Sequence, residues 1–205
     1  MANKIILLNG CSSAGKSSIS EKIMELSEEP WLNFSLSTFW NALSPKYKGF
    51  GEKSNEGLQF ILGCNEQGFP VNEVKINSCG KKLFDSMPRV FKQLADDGHN
   101  LIIEEVILEQ KYLKNYKDSL ENYQVCFVKV NCELTILENR EKSRGDRIIG
   151  TNRAQYAKMK NLDWKYDLPI DTTYISPLAN AKKILEFLEE NKSRTFAKKQ
   201  FNEPM

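Results

Sequence analysis

Short apolar runs alternate with stretches of helical periodicity along most of the chain. Residues Lys4 to Asn9 (Lys-Ile-Ile-Leu-Leu-Asn) form a continuous run closed by Gly10, the mark of a strand buried on both faces. Ile19, Ile23 and Leu26 then recur at helical spacing, which predicts a helix over 17–26, ended by Glu28-Glu29-Pro30. Trp31 to Leu36 alternates loosely as a second strand and delivers Ser37 and Thr38 to its C-terminal end. Core strands are predicted at 100–108 and 124–130, and a short edge strand at 166–171, where Asp167 and Pro169 suit an edge better than a centre. Helices are predicted over 78–97, 110–121, 133–143, 151–160 and 178–190. Pro88 should kink or divide the first of these, and the last carries Leu178, Ala181, Leu185 and Leu188 on one face.

Between these elements, residues 44–57 are polar, hold three glycines and a proline, and read as a mobile connection. Residues 57–74, broken by Gly63 and Gly68-Phe69-Pro70, read as a hairpin. Strands alternating with helices imply an α/β fold: a parallel sheet of about five strands, right-handed crossovers and helices on both faces. The expected organisation is one domain over 1–190 with a lid around 140–150, followed by a basic, disordered tail over 191–205.

Composition narrows the class of partner. The 205 residues are 40% hydrophobic and 27% charged, and the net charge of +2 makes no electrostatic case for nucleic acid or an anionic membrane. Five scattered cysteines without a C-x-x-C pair argue for reduced thiols in a cytoplasm, and against a disulfide framework or a zinc site. No apolar run approaches the ~18 residues that span a bilayer, and the immediate start of a strand leaves no room for a signal peptide. Oligomeric state is left open by the sequence.

The sharpest chemical signal follows the first strand. Gly10-Cys11-Ser12-Ser13-Ala14-Gly15-Lys16-Ser17 satisfies G-x-x-x-x-G-K-[ST] between a strand and a helix, the context of a phosphate-binding loop. Gly10 and Gly15 allow a tight turn, so that the backbone N–H groups of Ser12, Ser13, Ala14 and the residues through Ser18 converge on phosphate oxygens at a helix N-terminus. Lys16 can reach the β- and γ-phosphates, and the Ser17 hydroxyl can ligate Mg²⁺. A chance Gly/Ser-rich turn is the bland alternative, and the Lys-Ser pair with its upstream strand speaks against it. ATP and Mg²⁺ are the expected cofactors.

Three other groups carry possible chemistry. Glu104-Glu105 ends an apolar strand, where a carboxylate can hold a water of a Mg²⁺ shell or accept a proton from an attacking hydroxyl. Strand alternation should let at most one of the two face a nucleotide, and both could simply end the strand in solvent. Arg140, Arg144 and Arg147 lie three to four residues apart, so a helix would present them on one side of a flexible segment containing Gly145. A solvated basic helix end explains them equally well. Asp171-Thr172-Thr173 follows the last strand and could contact the nucleotide or merely cap a helix. His99, the single histidine, is assigned no role.

Together the stretches Gly10–Ser18, Pro30 through Pro45, Leu101–Leu108, Arg140–Arg147, and Tyr166-Asp167 with Asp171-Thr172-Thr173 resemble the chloramphenicol phosphotransferase-like family of P-loop kinases, over about residues 4–190. The resemblance implies ATP-dependent phosphorylation of a hydroxyl on a small molecule. It implies Lys16 and Ser17 in the loop roles and Arg140, Arg144 and Arg147 as lid cations, while Arg147, Asp171 and Thr172 are the residues expected beside the nucleotide. It also places Glu104-Glu105 where the family has a pair of aspartates, with Glu104 beside the metal. Ser37 stands where the family has its proposed catalytic base, an aspartate, and Lys160-Asn161 where it tends to carry a histidine. A serine hydroxyl does not accept a proton near neutral pH, so Glu104 or Glu105 would take that role, or the acceptor would need none. Two other readings stay open: a nucleotide-binding module acting through a protein partner, and a nucleotide- or sugar-nucleotide-directed kinase whose acceptor meets Phe34, Phe39, Trp40 and Phe50.

Overall fold

The computed structural model describes residues 3–190. Its centre is a five-stranded parallel sheet in the order β2-β6-β1-β7-β8. The strands are β1 (Lys4–Asn9), β2 (Trp31–Ser35), β6 (Asn100–Glu105), β7 (Gln124–Asn131) and β8 (Leu168–Asp171). The helices that cross between them are α1 (Lys16–Leu26), α2 (Leu36–Ala42), α3 (Ser78–Asp96), α4 (Gln110–Leu120), α5 (Leu134–Arg144), α6 (Thr151–Lys160) and α7 (Pro177–Glu189). A small second sheet holds β3 (Lys48–Gly49), β4 (Leu58–Ile61) and β5 (Glu73–Ile76) in that order.

Strand alternation divides the apolar side chains between two layers. Ile6, Leu8, Ile102, Cys126 and Val128 face α1 and α7, where Ile19, Ile23, Ala181, Ile184 and Leu188 complete one core. Ile5, Leu7, Leu101, Ile103 and Phe127 face α3 and α4, where Met87, Phe91, Leu113 and Leu120 complete the other. Most of these are fully buried, each worth about 1.5–3 kcal/mol of hydrophobic stabilisation. Register then fixes what meets at the C-terminal edge. Leu8 pairs with Glu104, Asn9 with Glu105, and Ser35 with Glu104, so three strands deliver polar groups to one level.

Several expectations need correction. The segment 44–57 is structured: 3-10 turns at Pro45–Tyr47 and Ser54–Glu56 flank β3, and Lys48 Nζ donates to Trp40 O at 2.8 Å. Gly57 is required there because a Cβ would collide with the carbonyl of Tyr47. The hairpin exists as antiparallel β4 and β5, but its second strand runs to Ile76. Helix α3 continues through Pro88, which sits on its buried face. Strand β6 ends at Glu105 rather than at 108 because the Asn9 carboxamide takes over the backbone of Ile107, accepting from its N–H at 2.7 Å and donating to its carbonyl at 3.2 Å. Leu178 is 43% exposed, and the inner face of α7 is Asn180, Ala181, Ile184 and Leu188. The basic tail expected over 191–205 lies outside the described residues. Among the described residues, no helix is long and apolar enough to cross a membrane.

Candidate active site

The loop between β1 and α1 is shaped by its neighbours as much as by its glycines. A Cβ on Gly10 would lie 2.7 Å from the carbonyl oxygen of Val130, so the chain can pass β7 only without a side chain. Gly15 caps α1 with φ +87°, a left-handed conformation that glycine adopts freely. The outward carbonyls are engaged from behind. Thr172 Oγ1 donates to Ala14 O at 2.7 Å, and Arg140 donates to Ser13 O at 3.5 Å and to Thr172 O at 2.8 Å. Within the loop, Ala14 N–H donates to Cys11 O at 3.3 Å. Ser12 N–H donates to Gln155 Oε1 on α6 at 2.7 Å.

Lys16 is buried, and its Nζ donates to Gly10 O and Cys11 O, each at 2.8 Å. Burial pulls its pKa down to about 8, against the opposing pull of the Glu104 carboxylate. One residue on, Ser17 Oγ donates to Glu104 Oε2 at 2.7 Å, while Asn33 Nδ2 donates to Glu104 Oε1 at 3.0 Å. Ser17 and Glu104 thus place two hard oxygens side by side at the first turn of α1.

Both glutamates line the cavity, although alternation led to the expectation of one. Glu104 leaves β6 on the α1 side, and Glu105 leaves it on the α4 side, where Tyr116 Oη donates to Glu105 Oε1 at 2.8 Å. They are the last two residues of the strand, so the cavity wraps around its end and meets both. Burial pushes the Glu105 carboxyl up to about 7, the Tyr116 hydrogen bond acting in the opposite direction.

Arg140, Arg144 and Arg147 all reach the cavity, but they are not equivalent. Arg140 is fixed against Thr172 and the loop, whereas Arg144 and Arg147 face Asp146 Oδ1 at 3.3 and 3.6 Å. Gly145 ends α5 with φ +69° and starts the short connection to α6. That connection is held from below by Glu141, a fully buried carboxylate accepting from Gly150 N–H at 2.7 Å and Asn152 N–H at 2.9 Å. Glu141→Ala should therefore cost about 2–3 kcal/mol, because two charge-assisted bonds at a helix start are lost and their donors stay buried. A urea-unfolding midpoint compared with the wild type measures it, and no change would mean that α6 needs no such anchor.

The remaining candidates are dispersed. Ser37 opens α2 at the cavity wall with its Oγ 2.6 Å from that of Ser35. Thr172 reaches the cavity, but Asp171 does not: its Oδ1 accepts from Thr173 N–H at 2.7 Å, and the residue borders a separate hollow of about 270 Å³ behind the loop. Of the aromatic residues, Trp40 lines the cavity, Phe34 and Phe39 pack on Phe91 in the core, and Phe50 is 62% exposed against Phe60. Sequence reasoning missed Asn9, Asn33, Tyr116, Glu141 and Gln155. Each acts through a partner on another element or a turn or more away, so no local spacing marks it.

The cavity holding all this has a volume of about 1150 Å³ and runs from the loop and the arginines of α5 and its following connection to a wall of Trp40, Phe60, Val74, Ile76, Phe84 and Met87. A five-stranded parallel sheet flanked by helices, with a G-x-x-x-x-G-K-S loop between its central strand and the first helix, is the fold of the P-loop kinases. The chain belongs to the chloramphenicol phosphotransferase-like family, whose model matches residues 3–189. It is similar to a Mycobacterium tuberculosis protein named "Putative O-phosphotransferase", 31% identical over 170 residues, which are 83% of this chain and 75% of that protein. Among solved structures it resembles a sugar kinase from Janibacter sp. HTCC2649, with a TM-score of 0.60 at 15% identity over 97% of this chain and 99% of that one. The Mycobacterium tuberculosis APS kinase in complex with AMPPNP and APS matches with a TM-score of 0.59 at 15% identity, over 92% and 98% of the two chains.

Proposed function

We propose that the protein transfers the γ-phosphoryl group of ATP, in the presence of Mg²⁺, to a hydroxyl of a small molecule. The observation that carries this reading is the single cavity of about 1150 Å³, which joins the phosphate loop to an apolar wall and so has room for donor and acceptor together. Ser17 and Glu104 suit Mg²⁺, a hard cation that takes one or two protein oxygens and completes its shell with phosphates and water. The APS kinase of similar fold forms a complex with the nucleotide analogue AMPPNP, which agrees with a nucleotide-using reading of this chain.

The walls also speak to the acceptor. The cavity's cations are Lys16, Arg140, Arg144, Arg147 and Lys158, all on the loop, α5, α6 or the connection between those helices, and Lys158 is paired with Glu73 at 2.8 Å. The opposite wall is apolar and aromatic, which favours an acceptor without phosphate or carboxylate over a nucleotide. Ser37 offers no base. Of the other carboxylates lining the cavity, Glu73 and Glu109 are paired with lysines, Asp146 faces arginines, Glu141 holds α6 and Glu104 is engaged by Ser17 and Asn33. Glu105, whose side-chain partner is a neutral phenol, is the group best placed to take the acceptor's proton.

The test is incubation with γ-labelled ATP, Mg²⁺ and a panel of uncharged aromatic alcohols beside a metabolite extract. Labelled product supports the kinase reading. ATP bound without any labelled product favours a nucleotide-binding module instead. Nucleotide binding should also take up a proton. Phosphate oxygens beside Lys16 raise its pKa from about 8, so at pH 8 about half a proton is absorbed per nucleotide, and little at pH 6.5. Calorimetry in buffers of different ionisation enthalpy reads this directly, and an enthalpy independent of buffer at pH 8 contradicts it.

A further inference from the structure

Helix α6 touches both ends of the cavity. Toward the phosphate loop, Gln155 Oε1 accepts from Ser12 N–H at 2.7 Å. Toward the hairpin formed by β4 and β5, three contacts leave the same helix or its first residue's neighbour. Lys158 pairs with Glu73 at 2.8 Å, the guanidinium of Arg153 lies 4.5 Å from the ring centre of Phe69, and Gly150 packs so tightly on Pro70 that a Cβ would sit 2.5 Å from its carbonyl oxygen.

Asn72 completes the joint. It is buried, its N–H donates to Gly150 O at 3.1 Å, its Nδ2 donates to Ile149 O at 2.6 Å, and its Oδ1 accepts from Gly63 N–H at 2.9 Å. The hairpin that supplies Phe60, Val74 and Ile76 to the acceptor wall is thereby fastened to the connection that carries Arg147. The Gly63–Asn72 bond closes the hairpin itself, whereas the bonds from Asn72 to Ile149 and Gly150 and from Ser12 to Gln155 run between elements far apart in the chain.

We propose that α6 couples the two halves of the site: Gln155 holds the Ser12 amide until a phosphate oxygen takes it, and Asn72 transmits the resulting release of α6 to the acceptor hairpin. This rests on the reading of the loop as a nucleotide-phosphate site. The physical step is an exchange of acceptors at one N–H group. A phosphate oxygen seated at Ser12 N–H displaces the carboxamide of Gln155, so the loop-to-α6 tether exists in one state and is lost in the other. That difference between states is what a coupling requires. By linkage the effect is reciprocal, so an acceptor that reorders the hairpin changes nucleotide affinity by the same factor. Gln155 and Asn72 are positioning residues here; neither needs to meet the transferred group.

Amide hydrogen exchange on the full chain with and without AMPPNP and Mg²⁺ tests it. In the wild type, nucleotide should slow exchange in the loop and speed it across 58–76 by at least about threefold, because the hairpin loses a brace. Gln155→Ala should show the faster hairpin exchange without nucleotide and no further response to it. Asn72→Ala should leave the hairpin unresponsive while the loop is still protected. Lys158→Met, which removes the ion pair with Glu73 and leaves the Asn72 bonds in place, guards against a misfolded hairpin in the Asn72 variant and should blunt the response in part. A protected loop with an unchanged wild-type hairpin overturns the coupling alone, as does a Gln155→Ala protein that responds like the wild type. A loop that AMPPNP does not protect overturns the nucleotide reading and the coupling with it.

Discussion

Replacing Lys16 with alanine should lower affinity for ATP·Mg²⁺ by at least about 100-fold and reduce phosphoryl transfer by about 10³-fold or more, while leaving the fold intact. The loss follows from removing a buried cation aimed at phosphate oxygens. Truncating one partner of a desolvated charge pair costs about 2–5 kcal/mol in binding, and a donor that meets charge developing in the transition state adds a further 10²–10³ in rate. Stability should hardly move, because two effects of similar size oppose each other. Lys16 keeps its charge in a site that lowers its pKa from 10.5 to about 8, a cost of about 3 kcal/mol near neutral pH. Against that stand two hydrogen bonds from Nζ to the Gly10 and Cys11 carbonyls, each worth about 1–1.5 kcal/mol. Nucleotide titration by calorimetry, with a thermal melt of the same sample, separates the two. Wild-type affinity in the variant would remove the loop from the donor site, and collapse of the melt would mean that Lys16 is a structural residue.

How much of this was legible beforehand depended on whether the signal was local. The three central strands, β1, β6 and β7, announce themselves because they are buried and therefore apolar in sequence, as Ile5-Ile6-Leu7-Leu8 and Leu101-Ile102-Ile103 show, whereas the edge strands β2 and β8 are only partly buried and carry a weaker pattern. The loop between β1 and α1 is legible because its glycines, lysine and serine fall within eight residues, and the backbone geometry they permit is a property of those residues. The small sheet is harder to read because β3 has two residues, Lys48 and Gly49, and gains its place from pairing rather than pattern.

Side-chain roles were legible only as far as the backbone fixed them. Glu104 and Glu105 were found by position, but their division of labour is set by Ser17 on one side and Tyr116 on the other. Arg140, Arg144 and Arg147 share a spacing and not a duty, since Arg140 is spent on the loop's carbonyls and on Thr172. Asp171 and Thr172 are adjacent, yet one closes a turn and the other braces the loop between β1 and α1. The contacts of Asn72 and Gln155 span 77 and 143 residues, and nothing in their own neighbourhoods foretells them.

Glu105→Gln should make the protein more stable at pH 8 and far less active. The sign follows from its titration. Its pKa is raised from 4.5 to about 7 in the folded chain, so between those values the folded state binds more protons than the unfolded one. Stability from this group is fully present below about pH 4.5 and is lost as pH rises through about 7. Above that, the ionised carboxylate sits in a site that disfavours it by about 3 kcal/mol, where Tyr116 Oη donates to it and Lys16 and Glu104 act on it through space with opposite signs. A glutamine keeps the hydrogen bond from Tyr116 Oη and carries no charge. Denaturation should therefore show the variant gaining up to about 3 kcal/mol over wild type at pH 8 and little near pH 5. Transfer should fall by about 10²–10⁴-fold, the usual worth of a general base, with nucleotide affinity nearly unchanged because Ser17, Glu104 and Lys16 are untouched. The pairing of the two results is the informative part. A residue kept only for packing would gain stability on substitution at no cost in turnover. A charged carboxylate retained in a burial site that resists it is instead the pattern of a group held there for chemistry, stability being given up for function.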